Sequence, residues 1–461
     1  MLLPVSTSIN NEGRITIGGC DVADLKARYG TPLYIVDLAT LRKQCQGYLD
    51  AFSFAEYKSD IIYASKAFCA LPMCQFIKQE GLSIDVSTGG ELFTALRSGF
   101  EPERIYFHGN NKSREEIKFG LDYKIGTFIV DNINELDTID WLARDRGIKQ
   151  EIMLRITPGI KAHTHKYIQT GAIESKFGFG IHAGIAMDAV KKAIEMENVT
   201  LTGLHAHIGS QIFNIEVYEK LIDTMLGFIK GVKDNTGYEI KILNIGGGLG
   251  IRYVPEDEPA TIEKLAKIVH DALVKYSAFY GVTIEKICLE PGRSIAGNAG
   301  TTLYEAGVIK IIPQIKNYIA VDGGMSDNIR PILYQAKYKA YIANRAGYIG
   351  EISHGDEVLN EEGNTRGLPD GSKDYVKYTI VGKHCESGDI IIEDIMLPEV
   401  KAGDLILVGA TGAYCYSMSS NYNGQPRSAV AAVEDGKSCI WVERQSYEDL
   451  IAKDKKLTEC E

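Results

Sequence analysis

Eight short apolar runs alternate with helical patterns between residues 61 and 292, and this alternation constrains the fold more than any other feature. The runs are IIYAS (61–65), LSIDVS (82–87), RIYFHG (104–109), TFIVDN (127–132), EIMLRI (151–156), LTGLHAHIG (201–209), ILNIGGG (242–248) and KICLEPG (286–292). They are rich in Ile, Val, Leu and Tyr and apolar on both faces, as strands covered on both sides must be. Among the intervening segments are GELFTALRSG (90–99), VYEKLIDTMLGFIKGVKD (217–234) and IEKLAKIVHDALVKYSAFYG (262–281), with apolar residues at i, i+3 and i+4. Eight β–α alternations in about 240 residues predict one (β/α)8 barrel. A doubly wound open sheet is the structural alternative.

The barrel is expected over 37–297, followed by a change of texture. Segments such as TTLYEAGVIKII, NYIAVDGG, DYVKYTIVG, DLILVGA and SAVAAVED are short β-type runs separated by Gly, Asp, Asn and Pro, without long helical patterns. They predict a mainly antiparallel β domain over 298–461. RITIGG and TPLYIVD, within the first 37 residues, also read as strands and are expected to pair with it. Residues 1–36 would then complete a β-rich domain interrupted by the barrel. The polar, Gly-rich stretch 355–374 reads as a long exposed loop.

Composition removes several functional classes. Hydrophobic residues at 45% and charged residues at 24% exclude a disordered chain. A net charge of −11 without a long basic run argues against nucleic acid and anionic membranes as partners. No apolar run approaches the ~18–20 residues that span a bilayer. MLLPVSTSINNEGR has no basic n-region and no sustained apolar h-region, so no secretory signal is expected. The 9 cysteines are scattered, with no CxxC pair and no Cys/His cluster at metal-ligand spacing. No metal site is expected. A reducing cytoplasm fits, with most thiols serving as small core residues.

Active sites of (β/α)8 barrels lie at the C-terminal ends of the strands. There the sequence places Lys66; Asp85, Ser87 and Thr88; His108 and Asn110; Asp131; Arg155; His205 and His207, with Gly209 and Ser210; Gly246, Gly247 and Gly248; and Glu290, Gly292 and Arg293. Each has an ordinary reading when taken alone: a surface lysine, a core histidine, a plain turn, a structural ion pair. Together they offer more. An amine after an apolar strand can be activated for imine formation. Glycine N–H groups after a late barrel strand can hold a phosphate. A flat imidazole can stack on a planar ring, and a carboxylate in a pocket can keep a heteroaromatic nitrogen protonated. Those are the requirements of pyridoxal 5′-phosphate.

YASKA (63–67), HTHKYIQTG with ESKFGFG (163–180), HIGSQ (207–211), GGGLG (246–250), EPGR (290–293), DGGMSDNIRPILY (322–334), CESGD (385–389) and GAYCYSMSSNYNGQPR (412–427) resemble, in order, the motif series of the diaminopimelate decarboxylases, fold-type III pyridoxal-phosphate enzymes of the alanine-racemase-like group. The resemblance implies that Lys66 carries the cofactor as an imine and His207 stacks on its ring. It implies that Ser210, Gly246, Gly247, Gly248 and the turn with Gly292 and Arg293 hold the phosphate, with Glu290 on the pyridine nitrogen. Arg293, Arg330 and Tyr334 would bind substrate, Glu386 its distal amine, and Tyr414 both cofactor and substrate. Cys385 would be the proton donor, reaching the site of the other subunit of a homodimer.

The expected reaction is conversion of meso-2,6-diaminopimelate to L-lysine and CO2, the last step of lysine biosynthesis. The second carboxylate of that substrate calls for cations, which Arg293 and Arg330 supply with bidentate geometry. Carboxynorspermidine, arginine or ornithine decarboxylation is the alternative within the class. A non-catalytic cofactor binder, or a flavin- or sugar-phosphate-binding barrel, is the alternative outside it.

Overall fold

The computed structural model describes residues 1–160, 175–182, 184–349, 352–353, 356–357 and 375–459. HTHKYIQTG lies outside these residues, as does the stretch 355–374 apart from Asp356–Glu357. The chain divides into two compact units: Lys43–Ile251 with Glu258–Ile295, and Met1–Arg42 with Arg252–Asp257 and Ala296–Glu461.

The first unit is a closed barrel of eight parallel strands. They are β1 (Lys58–Ala64), β2 (Ser83–Val86), β3 (Ile105–Phe107), β4 (Thr127–Val130), β5 (Gln150–Thr157), β6 (Val199–His205), β7 (Ile242–Asn244) and β8 (Lys286–Leu289). Each pairs with the next, and β8 pairs back onto β1. An open sheet would leave two edges; closure removes them. Ile62, Tyr106, Ile129, Met153 and Cys288 form a buried cluster inside, each 5% exposed or less. Burying such side chains contributes roughly 1.5–3 kcal/mol apiece. Burial also pushes the Cys288 thiol up, so it is an inert core residue.

The helices begin and end where local chemistry dictates. Thr88 caps Gly89–Arg97 by accepting from the Glu91 amide. Ser113 and Glu116 form a reciprocal capping box on Arg114–Asp122. Ile262–Tyr280 stops at Gly281, which takes φ 64. Among the described residues no helix is long and apolar enough to cross a membrane.

The second unit is built on the long strand Gly300–Ile312, antiparallel to Leu33–Asp37, Lys316–Val321 and Leu405–Val408. TPLYIVD therefore joins the C-terminal strands. RITIGG does not: Ile15–Ile17 pairs with Ser8–Ile9 and Cys20–Asp21 in a small sheet of its own. The positive φ of Gly18 and Gly19 turns the chain straight back, and closing so short a loop costs little. Two pairings in the large sheet are parallel, Lys316–Val321 with Val376–Val381 and Leu33–Asp37 with Ala429–Glu434. In both, the intervening chain is far longer than a hairpin, which frees the return strand to run either way.

Candidate active site

The ends of the barrel strands bring several of the sequence-predicted residues near one another. Lys66 follows β1 in the short turn Ser65–Ala67, with its side chain exposed. Its ammonium acts electrostatically on Asp85, His108 and His207. Burial pushes the Asp85 carboxyl well above its usual range, and Lys66 draws it back. His207 keeps part of its ring exposed; desolvation of the rest pushes it well below the usual imidazole range, aided by Lys66 and Arg155. It is a neutral ring at neutral pH.

Glu290 is buried just past β8. Its Oε1 receives Asn244 Nδ2 at 2.7 Å and faces His108 Nε2 at 2.8 Å, and its Oε2 faces His205 Nε2 at 3.2 Å. Burial alone would raise this carboxyl, but the two imidazoles more than reverse that and hold it well below the carboxylate range. Burial pushes His108 down to about 4, with Glu290 only partly opposing it. At neutral pH the pair is a carboxylate beside a neutral ring.

The turn after β7 packs against its neighbours with no room for side chains. A Cβ on Gly247 would stand 2.1 Å from the Glu290 carbonyl oxygen, and one on Gly248 2.4 Å from that of Gly209. Gly248 also holds φ 120. The Gly246 amide donates to Asn244 Oδ1 at 2.9 Å, so one buried asparagine ties the glycine turn to Glu290. Arg293 Nη2 donates to Ser210 Oγ at 2.9 Å, and Gln211 beside it takes φ 58. Gly292 packs against the end of β1, where a Cβ would stand 2.8 Å from that of Ala64. Gly247→Ala should therefore displace the turn, at a cost of roughly 1–3 kcal/mol. A lowered Tm together with weaker binding of pyridoxal phosphate to apoenzyme would bear this out; unchanged values would exclude it.

In the second unit, Arg330 opens the short helix Arg330–Tyr334 and is 6% exposed. Its Nε donates to Tyr338 at 2.9 Å, and the guanidinium lies 5.2, 5.6 and 5.8 Å from the rings of Tyr334, Tyr414 and Tyr253. Among the described residues no carboxylate pairs with it. A buried cation in an aromatic nest is costly to desolvate and gains most from an incoming anion. Tyr414 holds φ 61, an uncommon backbone state for an aromatic residue.

Cys385, Glu386 and Ser387 are exposed, bracketed by the buried His384 and Asp389. His384 Nε2 meets Ser326 Oγ at 2.8 Å, Asp389 accepts from the amides of Met325 at 2.6 Å and His384 at 2.9 Å, and the Cys385 amide donates to Asn423 at 2.9 Å. The turn is clamped at its base and presents its tip to solvent.

The family described as pyridoxal-dependent decarboxylase, pyridoxal binding domain, matches residues 38–297. The chain is 45% identical to the diaminopimelate decarboxylase of Bacillus subtilis, over 98% of each chain. It is 42% identical to that of Staphylococcus aureus, over 98% of this chain and all of the other. The chain belongs to the diaminopimelate decarboxylase family. Among solved structures, the family's enzyme from M. jannaschii in complex with L-lysine aligns with a TM-score of 0.87 at 32% identity over 99% of both chains. The enzyme from Helicobacter pylori, also with L-lysine, gives 0.81 at 31% identity over 94% of this chain and 98% of that one.

Family membership implies pyridoxal phosphate, and the barrel mouth fits it. The carboxylate of Glu290 is buried and held well below the usual carboxylate range, and so ionised, as a protonated pyridine nitrogen requires. The glycine turn is stripped of side chains, which lets a phosphate approach its backbone. The sequence reading missed Asn244 as a partner of Glu290, and Tyr253 and Tyr338 as neighbours of Arg330. Asn244 carried one weak signal, a polar residue ending an apolar strand two places before the glycines; the tyrosines carried none.

Proposed function

We propose that the protein is a pyridoxal-phosphate-dependent decarboxylase that converts meso-2,6-diaminopimelate to L-lysine and CO2. The observation that carries the substrate assignment is Arg330, a buried cation set among tyrosines with no carboxylate partner among the described residues. A substrate with one carboxylate at the reacting carbon and another at its far end supplies the missing anion. Ornithine has no second carboxylate to offer.

When bound, the cofactor supplies an electron sink for the pair left at Cα as CO2 departs. The protein's residues do the rest. Lys66 provides the amine that carries the cofactor. His207 offers its ring a face. Gly246, Gly247, Gly248, Ser210, Gly292 and Arg293 hold the phosphate end. Glu290 holds a proton on the pyridine nitrogen. Arg293, Arg330 and Tyr334 orient substrate carboxylate, Glu386 pairs with the distal ammonium, and Tyr414 bounds both ligands. Cys385 returns a proton to Cα from the opposite face, which balances the loss of CO2. A thiol suits that transfer because its unperturbed pKa, about 8.5, lies near working pH. The exposed turn bearing Cys385 serves the site of a second copy, so the working unit is a homodimer.

Incubating the purified protein with meso-diaminopimelate and, separately, with ornithine, and measuring CO2 from each, tests the assignment. Release from ornithine at equal or greater efficiency would overturn it. Arg330→Ala should lower kcat/KM for diaminopimelate roughly ten- to a hundredfold, the worth of a charged hydrogen bond. Its affinity for pyridoxal phosphate should stay within about twofold of wild type, because changes at separate, non-sharing sites act nearly independently.

A further inference from the structure

We propose that His108 and His205 are positioning residues for Glu290, holding its buried carboxylate ionised and in place for the cofactor's pyridine nitrogen. This rests on the reading of Glu290 as the partner of the cofactor's pyridine nitrogen and adds the device that makes that pairing work.

The geometry is specific. His108 follows β3, His205 ends β6, Asn244 ends β7 and Glu290 follows β8, so the contacts reach across the barrel mouth. His108, His205 and Glu290 are 7%, 1% and 7% exposed, and the two rings meet edge to face with centroids 5.0 Å apart. An ionised carboxylate only accepts hydrogen bonds, so both facing Nε2 atoms must carry hydrogen. Asn244 Nδ2 and His205 Nε2 hydrogen-bond to the two carboxylate oxygens at 2.7 and 3.2 Å, and His108 Nε2 stands 2.8 Å from Oε1. Of its roughly four lone-pair sites, these two hydrogen bonds leave room for an incoming N–H.

A lysine or arginine in either place would neutralise Glu290 and remove its pull on a proton at the pyridine nitrogen. Burial keeps His108 uncharged, as its lowered pKa indicates. The sequence shows only two histidines at strand ends, because His108 and Glu290 are 182 positions apart in the numbering (290 − 108). The same three side chains carry metal-ligand atoms. His205 Nε2 hydrogen-bonds directly to Glu290 Oε2 at 3.2 Å, and His108 Nε2 lies 2.8 Å from Oε1, which favours positioning contacts over metal ligation.

The test compares two cofactors on full-length apoenzyme: pyridoxal phosphate and its 1-deaza analogue, in which carbon replaces the ring nitrogen. The readout is the ratio of their dissociation constants, with no turnover needed. Wild type should favour pyridoxal phosphate. Glu290→Gln should collapse the preference, which checks the underlying reading by itself. His108→Phe and His205→Phe should each shrink the preference by about tenfold, as expected for one hydrogen bond to a charged group. His108→Gln and His205→Gln, which restore an N–H at similar reach, should recover most of it. If Glu290→Gln collapses the ratio but the histidine variants weaken both ligands equally, the histidines are merely structural and the proposal fails. If Glu290→Gln leaves the ratio unchanged, the reading of Glu290 fails and takes the proposal with it. Stoichiometric metal in apoenzyme, lost in the glutamine variants, would also overturn it.

Discussion

Lys66→Ala is expected to release no CO2 above background and to carry no covalently bound cofactor. Borohydride treatment of wild type followed by peptide mass analysis should find pyridoxyl phosphate on Lys66; the variant should show none on any lysine. The structure separates Lys66 from its nearest rival. Lys112 also lies at this end of the barrel, but its ammonium is buried and saturated by Glu135 at 2.7 Å and the carbonyls of Ile129 at 2.8 Å and Gly109 at 3.0 Å. An ammonium has three donors, and all three are engaged. Lys66 is exposed in a short turn, so truncating it should leave stability within about 0.5 kcal/mol of wild type. An unchanged Tm with activity lost would therefore mark a chemical role. A modified lysine elsewhere in the variant would show that another amine carries the cofactor.

The second large effect concerns Cys385. Cys385→Ala should lower kcat by about 10²–10⁴, the usual contribution of a positioned proton donor. Cofactor attachment to Lys66 should persist. The cysteine lies at the exposed tip of a turn whose base is clamped by His384 and Asp389, so the thiol is reachable without being loose. Iodoacetamide should inactivate the protein, and bound substrate should protect it. Cys439 is exposed as well, so the alkylated peptide must be identified. Mixing Lys66→Ala and Cys385→Ala chains should restore about a quarter of wild-type activity, since half of randomly assorted two-fold dimers are mixed and each has one complete site. No recovery despite demonstrated subunit exchange would place Cys385 in its own chain's site, or in none.

Much of this architecture could be read from residues alone because its causes are local. A strand buried on both sides must be apolar throughout, which made all eight barrel strands visible despite β3 and β7 having only three residues each. Barrel strands end at the mouth, so the polar residue after each one named Lys66, Asp85, His108 and Glu290 before any distance was known. The polar turn around Cys385 announced its exposure in the same way.

Contacts between distant segments had no such local trace. Asn244, His108 and His205 meet at Glu290 only because closing the barrel brings four strand ends together. Tyr253 and Tyr338 surround Arg330 only because the second unit gathers residues from separated stretches of chain. The sequence by itself determined which segments are strands and helices and which chemical groups stand at their ends, since these follow from propensity, periodicity and turn chemistry over a few residues. Strand direction in the β unit, the separate pairing of Ile15–Ile17, the meeting of two histidines at Glu290 and the gathering of tyrosines around Arg330 were decided by tertiary structure, because each depends on which groups burial forces together after the chain has closed.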